Sequence, residues 1–187
     1  MQLAPTFVIR DSISLGGFFM TITLQQAVPE QVPRCYEILD AGRAFQNANG
    51  FYQWDETYPT LEIVREDIQQ KTGWLILVDG EIAGYFCLSF HGEPVYQGIC
   101  GAWNTPEDYA VIHRMAFDPK FRGAGLTRQV FPLIESVCLQ RGIHAIRVDT
   151  DPCNQRMQHV FLQCGFTQCG TVEYPSYSPK TAFDKSF

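Results

Sequence analysis

The stretch FDPKFRGAGLTRQV, residues 117 to 130, constrains this chain more than any other. It follows the apolar run DYAVIHRMAF (108–117), which reads as a strand. After Gly125, Leu126, Val130, Leu133, Ile134, Val137 and Cys138 recur at helical spacing up to Gly142. A strand, a glycine turn and a helix leave backbone N–H groups free at the positive end of a helix dipole. Small residues let a ligand come close to those donors, and Arg122 and Arg128 add full charge beside them. The combination fits a phosphate or pyrophosphate.

Three readings of this turn compete. A P-loop needs G-x-x-x-x-G-K-[ST], and the sequence has no such string. A dinucleotide fingerprint needs G-x-G-x-x-G; Gly123 and Gly125 are present, but Arg128 occupies the third glycine position. Asp149 stands at a tolerable distance for a ribose carboxylate, yet a meander precedes the glycines where an opening βαβ unit belongs. The third reading is a tight turn with no ligand.

The rest of the chain supplies a mixed α/β sheet in a single domain. TITLQQA (21–27) is β-branched and alternating, a strand. Val32, Cys35, Tyr36, Leu39 and Gly42 follow helical spacing, with Pro33 tolerated near the first turn. Residues 45–59, FQNANGFYQWDETYP, have no period and read as a loop or broken helix. Thr60 is an N-cap for LEIVREDIQQK, and Asp79-Gly80 joins two apolar runs into a hairpin. His91 to Pro106 is a long connection carrying Tyr96 and Trp103, of the kind that tends to hold function. IHAIRVDT (143–150) is a strand, NQRMQHVFLQ (154–163) a helix, GFTQCGTVEY (165–174) a strand and KTAFDKSF (180–187) a last edge strand. Pro132 falls inside the helix after the turn, where a kink costing roughly 3 kcal/mol is expected.

Composition narrows the partners. With 187 residues the chain can bury one sizeable core. Its 14 basic and 20 acidic side chains give a net charge of -6 without a basic stripe, which argues against nucleic acid. LGGFFM is too short to span a membrane, and Arg10 and Asp11 interrupt what precedes it. The seven cysteines form no C-x-x-C pair and are odd in number, which reads as reduced thiols in a cytoplasmic protein and as no metal site. Met20 opens MTITLQQAVPE like a natural start, so residues 1–19 read as an extension without a catalytic role and 20–187 as the domain.

Taken with its surroundings, the turn resembles the GNAT superfamily of acetyltransferases. That family's coenzyme A motif, Q/R-x-x-G-x-G/A, is similar to the stretch Arg122, Gly123, Ala124, Gly125, Leu126 and Thr127. HRMAFDP looks like its central strand, and Asn154, Gly165 and Phe166 match N-x-x-A-x-x-x-Y-x-x-x-G-F in spacing. QWDETYPTLEIVREDI (53–68) is similar to the front half of many small bacterial-type members, so the resemblance covers most of 21–187. It implies a mostly antiparallel sheet flanked by helices. Thr127 replaces a small residue, Met157 the helix alanine, and Phe161 a tyrosine that often protonates the departing thiolate.

The resemblance implies direct attack of an amine, from a small molecule or a peptide, on acetyl-CoA. Backbone of Met115, Ala116 and Phe117 would polarise the thioester and hold the pantetheine. Residues 122–127 would take the pyrophosphate with Arg128 beside them, Asn154 would contact the pantetheine arm, and Phe161 would face the cofactor. An amine with a pKa near 10.4 costs roughly 4–5 kcal/mol to deprotonate at pH 7. Glu93, Asp108 and His113 are the candidate bases, the two carboxylates flanking the long loop and the histidine lying on the central strand facing the same side as Met115. Tyr174 and Cys164 are the candidates to replace the missing tyrosine. Phe161 also leaves open a non-catalytic module that binds acyl-CoA as a sensor. Aromatic residues 45, 52, 54, 58, 96 and 103 lie in variable loops that can line an acceptor site. Exposed strands near the C-terminus leave room for a homodimer.

Overall fold

A strand that is apolar at every position, such as Trp74 to Val78, needs cover on both faces of its sheet. A computed structural model of the chain describes residues 8–15, 18–106, 108–175 and 177–187, and shows how that cover is built. In chain order the elements are β1 (Val8–Leu15), β2 (Phe18–Gln26), α1 (Val32–Ala48), α2 (Leu61–Gln69), β3 (Gly73–Val78), β4 (Glu81–Ser89), β5 (Cys100–Gly101) and β6 (Ala110–Phe117). They continue with α3 (Leu126–Leu139), β7 (Ala145–Thr150), α4 (Gln155–Gln163), β8 (Thr167–Val172) and β9 (Lys180–Ser186). Among the described residues the strands form one sheet, ordered β1-β2-β3-β4-β6-β7-β9-β8-β5. Every pairing is antiparallel except β6 with β7.

Side chains alternate across β3. Trp74, Ile76 and Val78 join Val130, Ile134 and Phe161 of α3 and α4 on one face. Leu75 packs with Cys35, Leu39, Val64 and Ile68 of α1 and α2 on the other. Thr60 caps α2 as expected, its hydroxyl accepting from Ile63 N, and Asp79 and Gly80 turn the β3–β4 hairpin with φ of 50° and 85°. That double positive φ is the type I′ signature. α1 runs on through Ala48, four residues into the stretch 45–59 that reads as a loop, and only then does the loop begin. α3 continues unbroken through exposed Pro132. The carbonyl that proline leaves without its intrahelical donor belongs to exposed Arg128.

Three placements differ from expectation. KTAFDKSF is not an edge strand: β9 lies between β7 and β8, and Lys180 through Asp184 are all buried. A strand whose consecutive residues are buried on both faces belongs inside a sheet. The second difference is in the long connection, which contributes the two-residue β5 against β8. Thirdly, β1 and the start of β2 lie in the segment 1–19, so residues 8–15 extend the sheet; residues 1–7, 16 and 17 of that segment lie outside the described residues.

Candidate functional site

The site begins where the sheet comes apart. β6 and β7 are parallel partners only at Ala110–Ile146 and Val111–Arg147, and beyond these pairs the strands separate. A second irregularity lies on the other edge of β6, where Tyr85 pairs with Ala116 but Cys87 pairs with His113. β6 therefore carries an extra residue there, a bulge in which Arg114 has φ 54°. In a regular strand, neighbours point to opposite faces. Here Ile112, His113, Arg114 and Met115 all border one cavity, because the bulge re-aims them.

Two hollows meet at this opening. The larger, about 610 Å³, runs from α1 past the end of β6 to the turn before α3 and the start of α4. The smaller, about 310 Å³, lies between β6, β7, the end of α1 with the loop that follows it, and the segment around Tyr174. Gln46, Trp54, Met115, Asn154 and Met157 border both. α1 can approach this junction because residue 42 is glycine: a Cβ there would sit 3.0 Å from the Trp54 ring and 3.1 Å from the Ala116 Cβ.

The turn has the geometry of an anion site. Gly123 and Gly125 have φ of 82° and 72°, and a Cβ on Gly123 would meet no protein atom within 4 Å. Gly125 is the N-cap of α3 and gives it no side-chain cap. The first N–H groups of the helix therefore have no intrahelical acceptor. Arg122 donates from Nε to the Phe117 carbonyl at 3.0 Å, and its guanidinium lies 5.1 Å over the Phe45 ring. Its buried Nη2 has no hydrogen-bond partner among the described residues. Leu126, Thr127 and Arg128 border the same hollow, while exposed Ala124 does not. Arg128 also donates to Gln163 Oε1 at 3.1 Å. Asn154 caps α4, its side chain accepting from Met157 N, and still borders both hollows.

The smaller cavity is acidic and aromatic. Tyr96 and Tyr174 both donate their hydroxyls to Asp149 Oδ2, at 2.8 and 2.7 Å. Burial pushes the Asp149 carboxyl above its usual range, although these two hydrogen bonds oppose the shift. Glu93 is also pushed up by burial, with the Asp149 charge adding to it. Glu93 Oε2 lies 3.4 Å from His113 Nε2. The contact is not an ion pair, because burial and then the Arg114 charge push His113 down to about 3 and leave it neutral. Arg114 is matched by Asp67, which receives its Nε and Nη2 at 3.0 and 2.6 Å, and Arg114 Nη1 donates to Tyr58 Oη at 2.9 Å. Lys180 is matched by Asp151 at 3.0 Å. Among the described residues, no lysine or arginine forms an ion pair with Glu93 or Asp149.

The structure thus brings Glu93 and His113 together on one side of the cavity. It does not bring Asp108 there: that carboxylate is exposed on the approach to β6, and residues 108 and 109 border neither hollow. Phe161 borders the cavity with its ring buried among Phe131, Phe166 and Phe183. Of the two residues considered for the tyrosine's role, Tyr174 borders the cavity and Cys164 does not. Of the aromatic residues expected in loops, Phe45 lies in α1 under the Arg122 guanidinium, Trp54 and Tyr58 border the smaller cavity, Tyr96 donates to Asp149, Trp103 packs on Arg147, and Tyr52 is 75% exposed. Sequence reasoning missed Asp149 as a cavity residue, together with Arg114, Gln46 and Lys180. One signal was present: a carboxylate alternating with Ile146 and Val148 in a strand of a two-sided sheet needs a partner when buried.

A sequence model of the acetyltransferase (GNAT) family matches residues 33–166. No curated protein matches the chain. Among solved structures, a GNAT-family acetyltransferase from Streptococcus agalactiae 2603 superposes with a TM-score of 0.79 at 27% identity, over 89% of this chain and 95% of that one. An acetyltransferase from Salmonella typhimurium that modifies the N-terminal serine of ribosomal protein L7/L12 gives 0.63 at 22%, over 89% and 95%. An aminoglycoside acetyltransferase in complex with coenzyme A and kanamycin gives 0.64 at 20%, over 88% and 94%. No helix among the described residues is long and apolar enough to cross a membrane. The family match, the fold and the turn agree, and the chain belongs to the acetyltransferase (GNAT) family.

Proposed function

We propose that this acetyltransferase moves an acetyl group from acetyl-CoA to the amine of a small molecule or peptide, with the larger cleft as the coenzyme site and the smaller cavity as the acceptor site. The observation that carries this reading is the junction: the anion-binding turn and the acidic cavity share one wall at the splayed end of β6 and β7. The cleft residues fit coenzyme A. Arg122 has an unpartnered buried nitrogen, and the turn has open space over its glycines. Amides at the start of α3 suit a pyrophosphate. Coenzyme A occupies the aminoglycoside acetyltransferase of the same fold.

When bound, acetyl-CoA supplies an activated acyl carbon, so that a C–N bond to the amine replaces the C–S bond and coenzyme A departs as thiolate. The protein must position the amine and take its proton. Glu93 is the base in this reading: it borders the cavity, has no ion-pair partner among the described lysines and arginines, and burial raises its affinity for a proton. Neutral His113 beside it positions that carboxylate. Phe161 has no proton to give, and the Tyr174 hydroxyl is engaged by Asp149. A thiolate whose conjugate acid has a pKa of about 8.5 needs far less help in leaving than the amine needs in losing its proton. Met115, Ala116, Phe117 and Asn154 line the larger cleft, and the strand backbone and the Asn154 side chain would hold the pantetheine arm there. The seven free cysteines support a reducing, cytoplasmic setting.

The test is thiol release from acetyl-CoA with a panel of amines, beside calorimetric binding of coenzyme A and of NAD. Acceptor-dependent thiol release and coenzyme A binding are expected. Coenzyme A binding without turnover on any amine overturns catalysis in favour of a sensor, and binding of NAD alone overturns the cleft assignment.

A further inference from the structure

The charges around the smaller cavity do not balance, and the imbalance describes the molecule that fits. This inference rests on the cavity being the acceptor site. Its lining carries Arg114, Lys180, Glu93, Asp149 and neutral His113. Arg114 is paired with Asp67 and Lys180 with Asp151, which leaves Glu93 and Asp149 without an ion-pair partner of their own, although the Arg114 and Lys180 charges still act on them from a distance. A buried charge without a partner is costly, so a ligand that brings positive charge is favoured.

One ammonium does not settle the account. An acceptor amine must lose a proton before it attacks, and that proton goes to Glu93, neutralising it. The amine is then neutral as well, and the Asp149 carboxyl still has no ion-pair partner. Its two tyrosine hydroxyls solvate it through Oδ2 but carry no charge. A second positive group on the same acceptor balances Asp149 throughout the reaction. The surrounding surface suits such a group, since Trp54, Tyr58, Tyr174 and Tyr177 border the cavity and ring faces attract cations. The volume, about 310 Å³, is at the lower end of the range of roughly 300–1,000 Å³ for small-molecule sites, which favours a short, unbranched ligand.

We propose that the acceptor is a compact amine bearing a second cationic group, such as a short diamine, with its reacting nitrogen at Glu93 and its second cation at Asp149 among the aromatic rings. The experiment compares 1,4-diaminobutane with n-butylamine, an aminoglycoside and a serine-ended peptide, in thiol release and in calorimetric binding to the protein without coenzyme. The diamine is expected to exceed butylamine by about 100-fold or more in kcat/KM and to bind measurably where butylamine does not. In Asp149→Asn the diamine-to-butylamine ratio is expected to collapse below about fivefold, with coenzyme A binding retained as the control for folding. Equal use of the two amines, preference for the aminoglycoside or peptide, or a ratio untouched by Asp149→Asn overturns the proposal. Diamine binding that depends on Asp149 without any turnover supports the cavity's selectivity while overturning acetyl transfer. Absence of both binding and turnover overturns the proposal.

Discussion

Removing the Asp67 carboxylate tests whether the bulge of β6 is held by charge. Asp67 accepts from Tyr85 Oη at 3.0 Å and from two nitrogens of Arg114, and the side chains of the pair are 9% and 12% exposed. Asp67→Ala leaves the Arg114 guanidinium buried beside the cavity without its counter-charge. Breaking a buried pair from one side costs about 3–5 kcal/mol. For a domain of this length each kcal/mol lowers Tm by roughly 2–4 °C, so a fall of about 6–20 °C is expected. Asp67→Ala/Arg114→Met removes the orphaned charge and should recover a large part of the loss. Recovery stays partial because the Tyr85 and Tyr58 hydroxyls lose their partners. Chemical denaturation of the two single variants and the double variant closes the cycle. A cost below about 1 kcal/mol for Asp67→Ala, or a double variant at the sum of the singles, would refute the coupling.

Four further outcomes are expected. Glu93→Gln should lower kcat by about 10²–10⁴-fold and remove the acid limb of the pH–rate profile, which in the parent protein rises with pH through a midpoint above the ordinary carboxylate value; an unchanged limb assigns the base elsewhere. Because folding raises the proton affinity of Glu93, its contribution to stability is complete below the unfolded pKa and lost as pH rises through the folded one, so Glu93→Gln should be relatively more stable at neutral pH than at pH 4 by thermal melting. Arg122→Ala removes a charged donor from the anion site and should weaken coenzyme A by about 10–150-fold, from about 1.5–3 kcal/mol for such a hydrogen bond, in a calorimetric titration; a change under threefold refutes that role. Phe161→Ala opens a void among Phe131, Phe166 and Phe183 and should cost about 3–5 kcal/mol in denaturant unfolding.

The turn at 122–127 was legible because its requirement is local: two glycines at positive φ and an uncapped helix start are written in consecutive residues. Thr60 and Asp79-Gly80 were legible for the same reason. The cavity was not, because its members come from distant segments. Tyr96 and Asp149 are 53 positions apart and meet only after the long connection has folded against β7. The bulge at Arg114 left no mark either, since AVIHRMAF reads as a regular strand and the extra residue is defined by the register of β4. The place of β9 inside the sheet was hidden because strand order is set by long-range pairing. Asp108 looked equivalent to Glu93 from its position beside a loop, and only burial separates them: Glu93 enters the cavity while Asp108 stays in water.

The shared wall of the two hollows has a bearing on how this protein could change over time. Trp54, Met115 and Met157 each touch both hollows, so under the proposed assignment a substitution that reshapes the acceptor hollow also reshapes the coenzyme hollow. Gly42 tightens that bond further, because any side chain there displaces the indole. Tyr174, Tyr177 and Lys180 border the smaller hollow alone. Divergence towards new acceptors is therefore expected to run through the segment from 174 to 180, where a new specificity can be acquired while the donor half of the reaction is inherited intact.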